Sequence, residues 1–202
     1  MRNFLLLLFV TSLFQLNAQE FETRTLVVEE GTNAGKGTFQ YLKPMMVLEA
    51  EGTSKELYQK AINWVNETYK NPEEVIKGKV EGDYLRLEGF TSNLIRANVI
   101  GTMFYYDVRY TVKLDFKDGR FKYEISKMEQ YFPASQYSAS QWISLMSNKE
   151  IVYKTANRKG KPKKDGVANL KAVKEYFENL GISVKDYMQK NEASETSSND
   201  DW

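Results

Sequence analysis

The chain has 202 residues, 28 of them basic and 27 acidic, and it contains neither histidine nor cysteine. Hydrophobic residues make up 42% and charged residues 27%, the balance of a globular protein of one-domain size rather than a disordered one. The missing residue types remove imidazole and thiol catalysis, thiolate metal sites, haem attachment and disulfides. Carboxylate, lysine and hydroxyl chemistry remain, or binding without chemistry.

Residues 1–18 read as a secretory signal: Met1-Arg2-Asn3 is a short positive start, Phe4 to Phe14 is an apolar run, and Leu16-Asn17-Ala18 offers a cleavage site. The run falls short of the ~20 apolar residues that span a bilayer, so no membrane span is expected once the signal is removed. Cleavage takes away Arg2 and no acid, leaving 27 charges of each sign. A neutral exported chain has no general electrostatic pull toward nucleic acid. Without disulfides, its stability must come from core burial, which about 180 residues can supply.

Residues 21–30 have strand character, and a glycine-rich stretch, 31–37, follows. Pro44 then precedes a buried strand from Met45 to Leu48. The clearest helix spans 54–70. Thr53 and Glu56 form a capping box, Leu57, Tyr58, Ala61, Ile62, Trp64, Val65 and Tyr69 give a wide apolar face, and Asn71-Pro72 stops it. Beyond it the period changes to two. Segments 75–80 and 84–90 flank a turn at Glu81-Gly82-Asp83, and a long strand runs from Met103 to Phe116. Its even-numbered side is apolar from Phe104 to Leu114, and its odd-numbered side carries Tyr105, Asp107, Arg109, Thr111, Lys113 and Asp115. Asp118-Gly119 turns the chain into a partner strand, 120–128, of the same alternating kind. One wet face and one core face mean an antiparallel sheet covered on one side.

The last third reads as helical. Trp142, Leu145 and Met146 suggest a helix from Ser138 to about Met146. Asp165 is placed to cap a helix with the stripe Leu170, Val173, Phe177 and Leu180, ended by Gly181, and Ser183 is placed to open a last short helix. Residues 191–202 are polar and acidic, the composition of a disordered tail.

The order strand, capped helix and meander, with the stretches 51–65 and 114–123, resembles a bacterial exported family of unknown function with a TATA-binding-protein-like fold, over about residues 42–130. The resemblance implies a fold and carries no function. The expected fold is therefore α+β: a twisted antiparallel sheet of about five strands with the 54–70 helix on its apolar face. The expected organisation is a signal (1–18), an N-terminal extension (19–41), the TBP-like domain (42–130), a helical C-terminal extension (131–190) and the tail (191–202).

Three features bear on function. The basic run Arg158, Lys159, Lys161, Lys163 and Lys164 suits anionic headgroups, lipopolysaccharide or acidic polysaccharide; the plain alternative is a solvated loop between helices. The polar face with Tyr105, Asp107 and Arg109, joined by Arg120, Lys122 and Glu124 of the next strand, is the candidate binding surface, where aromatic plus arginine suits a sugar or a protein partner. Ordinary cross-strand charge pairing is the alternative there. Adjacent acids such as Glu29-Glu30 and Glu73-Glu74 lack the across-cleft placement that glycoside hydrolysis needs. The reading that follows is a non-catalytic exported binding module, periplasmic or extracellular, with a protein or glycan partner and no metal or cofactor. A carboxylate-dependent hydrolase acting on envelope or dietary polysaccharide is the alternative. Tyr105 and Arg109 are expected to be accessible, with the C-terminal helix packed elsewhere.

Overall fold

A computed structural model of the chain describes residues 20–28 and 36–190. The expected signal, the acidic tail, Glu29-Glu30 and most of the glycine-rich 31–37 stretch lie outside the described residues. In chain order the elements are β1 (Glu22–Val28), β2 (Gly37–Lys43), β3 (Met45–Glu49), α1 (Ser54–Thr68), α2 (Pro72–Val75), β4 (Ile76–Val80), β5 (Tyr84–Val99), β6 (Thr102–Lys117), β7 (Arg120–Phe132), β8 (Gln141–Ser144), β9 (Met146–Ser147), β10 (Glu150–Asn157) and α3 (Lys164–Gln189).

They form two antiparallel sheets around one core. The larger has the order β3-β7-β6-β5-β4 with β8 pairing β7, and the smaller has the order β1-β2-β10-β9. The chain passes from one sheet to the other at Pro44, which cannot donate a ladder hydrogen bond. The α+β expectation holds, but the larger sheet has six strands rather than about five, and a second sheet accompanies it.

Helix α1 starts as its sequence dictates: Thr53 N–H donates to Glu56 (2.7 Å) and Glu56 N–H donates to the Thr53 hydroxyl (3.3 Å). The β6–β7 turn does more than reverse the chain. Asp118 Oδ1 accepts the Ser54 N–H (2.8 Å) and Gly119 N–H donates to Gly52 (2.9 Å), so the turn docks on the helix entrance. The helix then buries Leu57, Ala61, Trp64 and Val65 against the inner sheet face, where Val108, Tyr110, Val112, Leu114, Tyr123 and Ile125 are all buried. Each such side chain contributes roughly 1.5–3 kcal/mol by leaving water.

The C-terminal third departs from its helical expectation. Between 141 and 157 lie the strands β8, β9 and β10. Trp142, Leu145 and Met146 have helical spacing, but β8 fills the edge of β7 beside Glu129–Phe132, and Ile151, Tyr153 and Thr155 of β10 alternate inward beside β2. Only α3 is helical there. It runs unbroken through Gly181, and Lys163 rather than Asp165 is its N-cap residue. Gly181 is a contact residue, because a Cβ there would lie 2.6 Å from Met46 Cε and 3.3 Å from the Tyr123 ring. Ser183, expected to open a new helix, instead accepts a hydrogen bond from the Trp64 indole (3.4 Å). The buried stripe of α3, Leu170, Val173, Phe177, Val184 and Met188, faces the common core. Phe177 meets Tyr110 edge-on at 4.9 Å, which places α3 on the inner side of the larger sheet. Among the described residues no helix is long and apolar enough to cross a membrane.

Candidate functional site

With α1 and α3 both on the inner side, the outer face of the larger sheet carries the odd-numbered side chains of β6. Register sorts them. Arg109 pairs with Phe90 of β5 and Glu129 of β7, and Glu129 pairs with Ser144 of β8. Lys113 pairs with Glu124, Asp115 with Lys122 and Lys117 with Arg120. At ~3.4 Å per residue, Lys122 lies about 20 Å along the sheet from Arg109, and Arg120 about 27 Å. The six expected residues of this surface therefore share a face without forming one site.

The base of the face, near the β6–β7 turn, is a closed charge network. Asp115 receives Lys113 (2.5 Å) and Lys122 (2.8 Å), and Lys122 also reaches Glu124 (2.9 Å). Burial pushes the Asp115 carboxyl upward, but the two lysines outweigh it and hold it below its usual range. Hydrogen bonds that it donates to Asp115 and Glu124 hold the Lys122 ammonium above its usual range. These groups satisfy one another, which is cross-strand pairing of the ordinary kind.

The middle of the face is different. Arg109 Nε donates to Glu129, Lys127 approaches the same carboxylate (3.0 Å), and the guanidinium lies over the Trp142 ring, 4.5 Å from its centroid. Trp142 in turn meets Phe90 (6.4 Å) and Tyr131 (5.1 Å). Burial raises the Glu129 carboxyl, but hydrogen bonds from Arg109 and Lys127 prevail and keep it below the usual carboxylate range. The result is an arginine fixed between an anion and an indole, bordered by Phe90, which is 56% exposed. Such a pre-positioned aromatic and guanidinium surface binds with little loss of side-chain freedom.

Of the remaining expected residues, Tyr105 is exposed as anticipated, four positions along β6 from Arg109 and opposite Arg96. Asp107 serves the backbone: its carboxylate accepts the Asn93 N–H (3.0 Å) at the bulge in β5, where Asn93 has φ 60°. Arg109 is half-exposed and already engaged. Trp142, Phe90, Tyr131 and Glu129 were not among the expected site residues. The helical spacing of Trp142, Leu145 and Met146 masks the strand that carries Trp142 to this face. Glu129 lay one residue past the expected strand end, although its alternation with Lys127 and Tyr131 would have placed it outward.

Beyond the bulge, β5 and β6 continue as a two-stranded arm. Its β5 edge is covered by α3: Asn169 accepts the Arg96 N–H (3.0 Å) and donates to the Arg96 carbonyl (2.9 Å), imitating a neighbouring strand, and Asp165 accepts the Asn98 N–H (2.9 Å). Asn169 is buried, so this pair of bonds is shielded from water. The basic segment is exposed: residues 158–163 form the loop between β10 and α3, not a loop between helices, and Lys164 opens α3; Asn157 Oδ1 accepts the Lys159 and Lys161 N–H groups (2.9 and 3.1 Å). Among the described residues, no group of three or more acids could hold a metal ion.

These features define an α+β module with helices on one sheet face and side-chain chemistry on the other. Residues 46–131 match the family model described as a domain of unknown function (DUF4468) with TBP-like fold. The chain is similar to a DUF4468 family protein from Bacteroides ovatus ATCC 8483, with TM-score 0.53 and 11% identity over 80% of this chain and 91% of that one. It is also similar to a TBP-like protein from Parabacteroides distasonis ATCC 8503, with TM-score 0.51 and 17% identity over 81% of this chain and 99% of that one. At such identities these likenesses show the fold. No curated protein matches the chain. The matched segment includes Phe90, Arg109, Glu129 and Tyr131 and stops short of Trp142 and the basic loop.

Proposed function

We propose that this chain is a non-catalytic exported binding module whose contact surface is centred on Arg109 and Trp142, with a protein or glycan partner. The observation that supports it is the fixed Arg109 guanidinium between Glu129 and the Trp142 ring, on the sheet face that neither α1 nor α3 covers. The chemistry of the acids on this face favours binding over carboxylate catalysis. Asp115 and Glu129 are both held in the anionic form by neighbouring cations, which makes them poor proton donors near neutral pH. Export is supported by the composition of residues 1–18. A cut after Ala18 also leaves intact the anchor at Glu20 and Phe21: Phe21 N–H donates to Glu178 (2.5 Å), Glu20 pairs with Lys174 (2.5 Å), and the Phe21 ring stacks on Tyr123.

The test immobilises the full mature chain and offers it separated protein and glycan fractions of a bacterial envelope. The reading expects a component retained by the wild type, lost by Arg109→Ala/Trp142→Ala while the variant keeps the circular dichroism of the folded chain, and released chemically unaltered. Equal retention by the double variant, or cleavage of the retained glycan, contradicts it.

A further inference from the structure

The arm ends in an apolar tip that nothing in the fold uses. Val99, Ile100, Met103, Phe104 and Tyr105 are exposed by 47, 101, 37, 45 and 57%. Ile100 and Gly101 are the two central residues of the hairpin turn, with φ of 50° and 85°, and Val99 pairs with Thr102. Turns of this kind favour asparagine or glycine at both positions. A β-branched residue at positive φ is strained, and here its side chain meets only solvent. The strain therefore gains nothing inside the molecule.

The same end of the molecule carries the basic loop. Asp165 holds the Asn98 N–H at 2.9 Å and lies 3.7 Å from Arg96 Nε, so Lys163 and Lys164, its immediate predecessors, sit beside the arm. Ile100 is only two residues further on, about 7 Å of extended chain. Arg158, Lys159, Lys161, Lys163 and Lys164 are all exposed, and none is in an ion pair among the described residues. Pinning by Asn169 and Asp165 keeps tip and loop together.

An aqueous protein partner of either character would use one of these features. An anionic bilayer uses both, because apolar side chains enter the acyl boundary while cations engage the headgroups. We infer that the β5–β6 tip and the 158–164 loop together form a peripheral attachment site for an anionic lipid surface, with Ile100 and Phe104 inserting and the five cations lying at headgroup level. The mature chain as a whole is neutral, so the attraction is local to this end. This attachment does not depend on the Arg109–Trp142 surface, which lies further along the sheet.

The experiment is co-sedimentation of the full mature chain with phosphatidylcholine vesicles containing or lacking phosphatidylglycerol. Binding is expected to the anionic vesicles, to weaken at least tenfold without phosphatidylglycerol, and to fall as salt rises. Ile100→Asn relieves the turn strain, so Tm should hold or rise while vesicle affinity drops at least fivefold. Lys159→Glu/Lys161→Glu should lower it at least tenfold, and Arg109→Ala/Trp142→Ala should leave it unchanged. No binding to anionic vesicles, equal binding to neutral ones, or unchanged binding by the Ile100 and lysine variants overturns the inference. So does capture of the wild type by a soluble acidic polysaccharide with no vesicle binding.

Discussion

Two regions of one sheet face, built from the same pair of strands, have opposite economies of charge. At the base, Lys113, Asp115, Lys122 and Glu124 neutralise one another. Some 20 Å away, Glu129 orients Arg109, and the rings of Trp142, Phe90 and Tyr131 are gathered around it rather than against the core. The lesson is that an alternating polar strand face does not reveal where a partner would sit. What separates the regions is whether each charged group finds its complement within the sheet, and that depends on the neighbour across the ladder.

The largest test of this contrast lies under the boundary between the regions. Gly89 stands opposite Tyr110, and a Cβ at Gly89 would lie 2.4 Å from the phenol ring. Tyr110 cannot move aside, since its hydroxyl bonds to Tyr176 (2.9 Å) and its ring packs on Phe177. Gly89→Val should cost at least about 3 kcal/mol in a denaturant titration and disturb both regions. Next comes Asn169→Ala, which removes both side-chain bonds to the Arg96 backbone and should cost about 2–3 kcal/mol. Hydrogen exchange should accelerate at Arg96 and Asn98 while Lys113 and Glu124 keep their protection.

Acid provides a third, smaller test. Glu129 is depressed in the folded state, so its stabilisation is complete above its ordinary value of 4.5 and is lost as pH falls from there through the lowered folded value. Glu129→Gln should flatten the decline of Tm below pH 4.5. Glu178 has the opposite sign: burial raises it, so its contribution is present below pH 4.5 and lost as pH rises through the raised value. The smallest effect is expected at the base. Lys122→Gln should change stability by no more than about 1 kcal/mol, the range for partly exposed ion pairs, and should leave partner retention untouched.

Much of the fold was legible because local rules agreed with the tertiary outcome. Thr53 with Glu56, the even-odd alternation of 103–116 and the Asp118-Gly119 turn each specify their element within a few residues. The last third was not, because its determinants are distant in sequence. Trp142, Leu145 and Met146 mimic a helical stripe, but the vacant edge of β7 draws Trp142 into a strand and Met146 pairs with Ile151 of β10. Ile151, Tyr153 and Thr155 did alternate visibly, and that signal could have identified β10. Gly181 looked like a helix stop because close approach to Met46 and Tyr123 leaves no trace in the local sequence. For the site, Arg109 and Tyr105 were legible as outward residues of a long strand. Trp142 joins them only through the β7–β8 pairing, and the separation of Arg120 and Lys122 follows from the register of β6 on β7.

The most direct measurement of the contrast is site-specific photo-crosslinking in the full mature chain, with the photoreactive amino acid at position 90 or at position 122, in the presence of the envelope fraction that the wild type retains. Both positions lie on the outer face, and neither is buried. Adducts from position 90 with none from position 122 are predicted. Adducts from position 122 alone, or equal yields from both, would contradict the assignment of the working surface to Arg109 and Trp142.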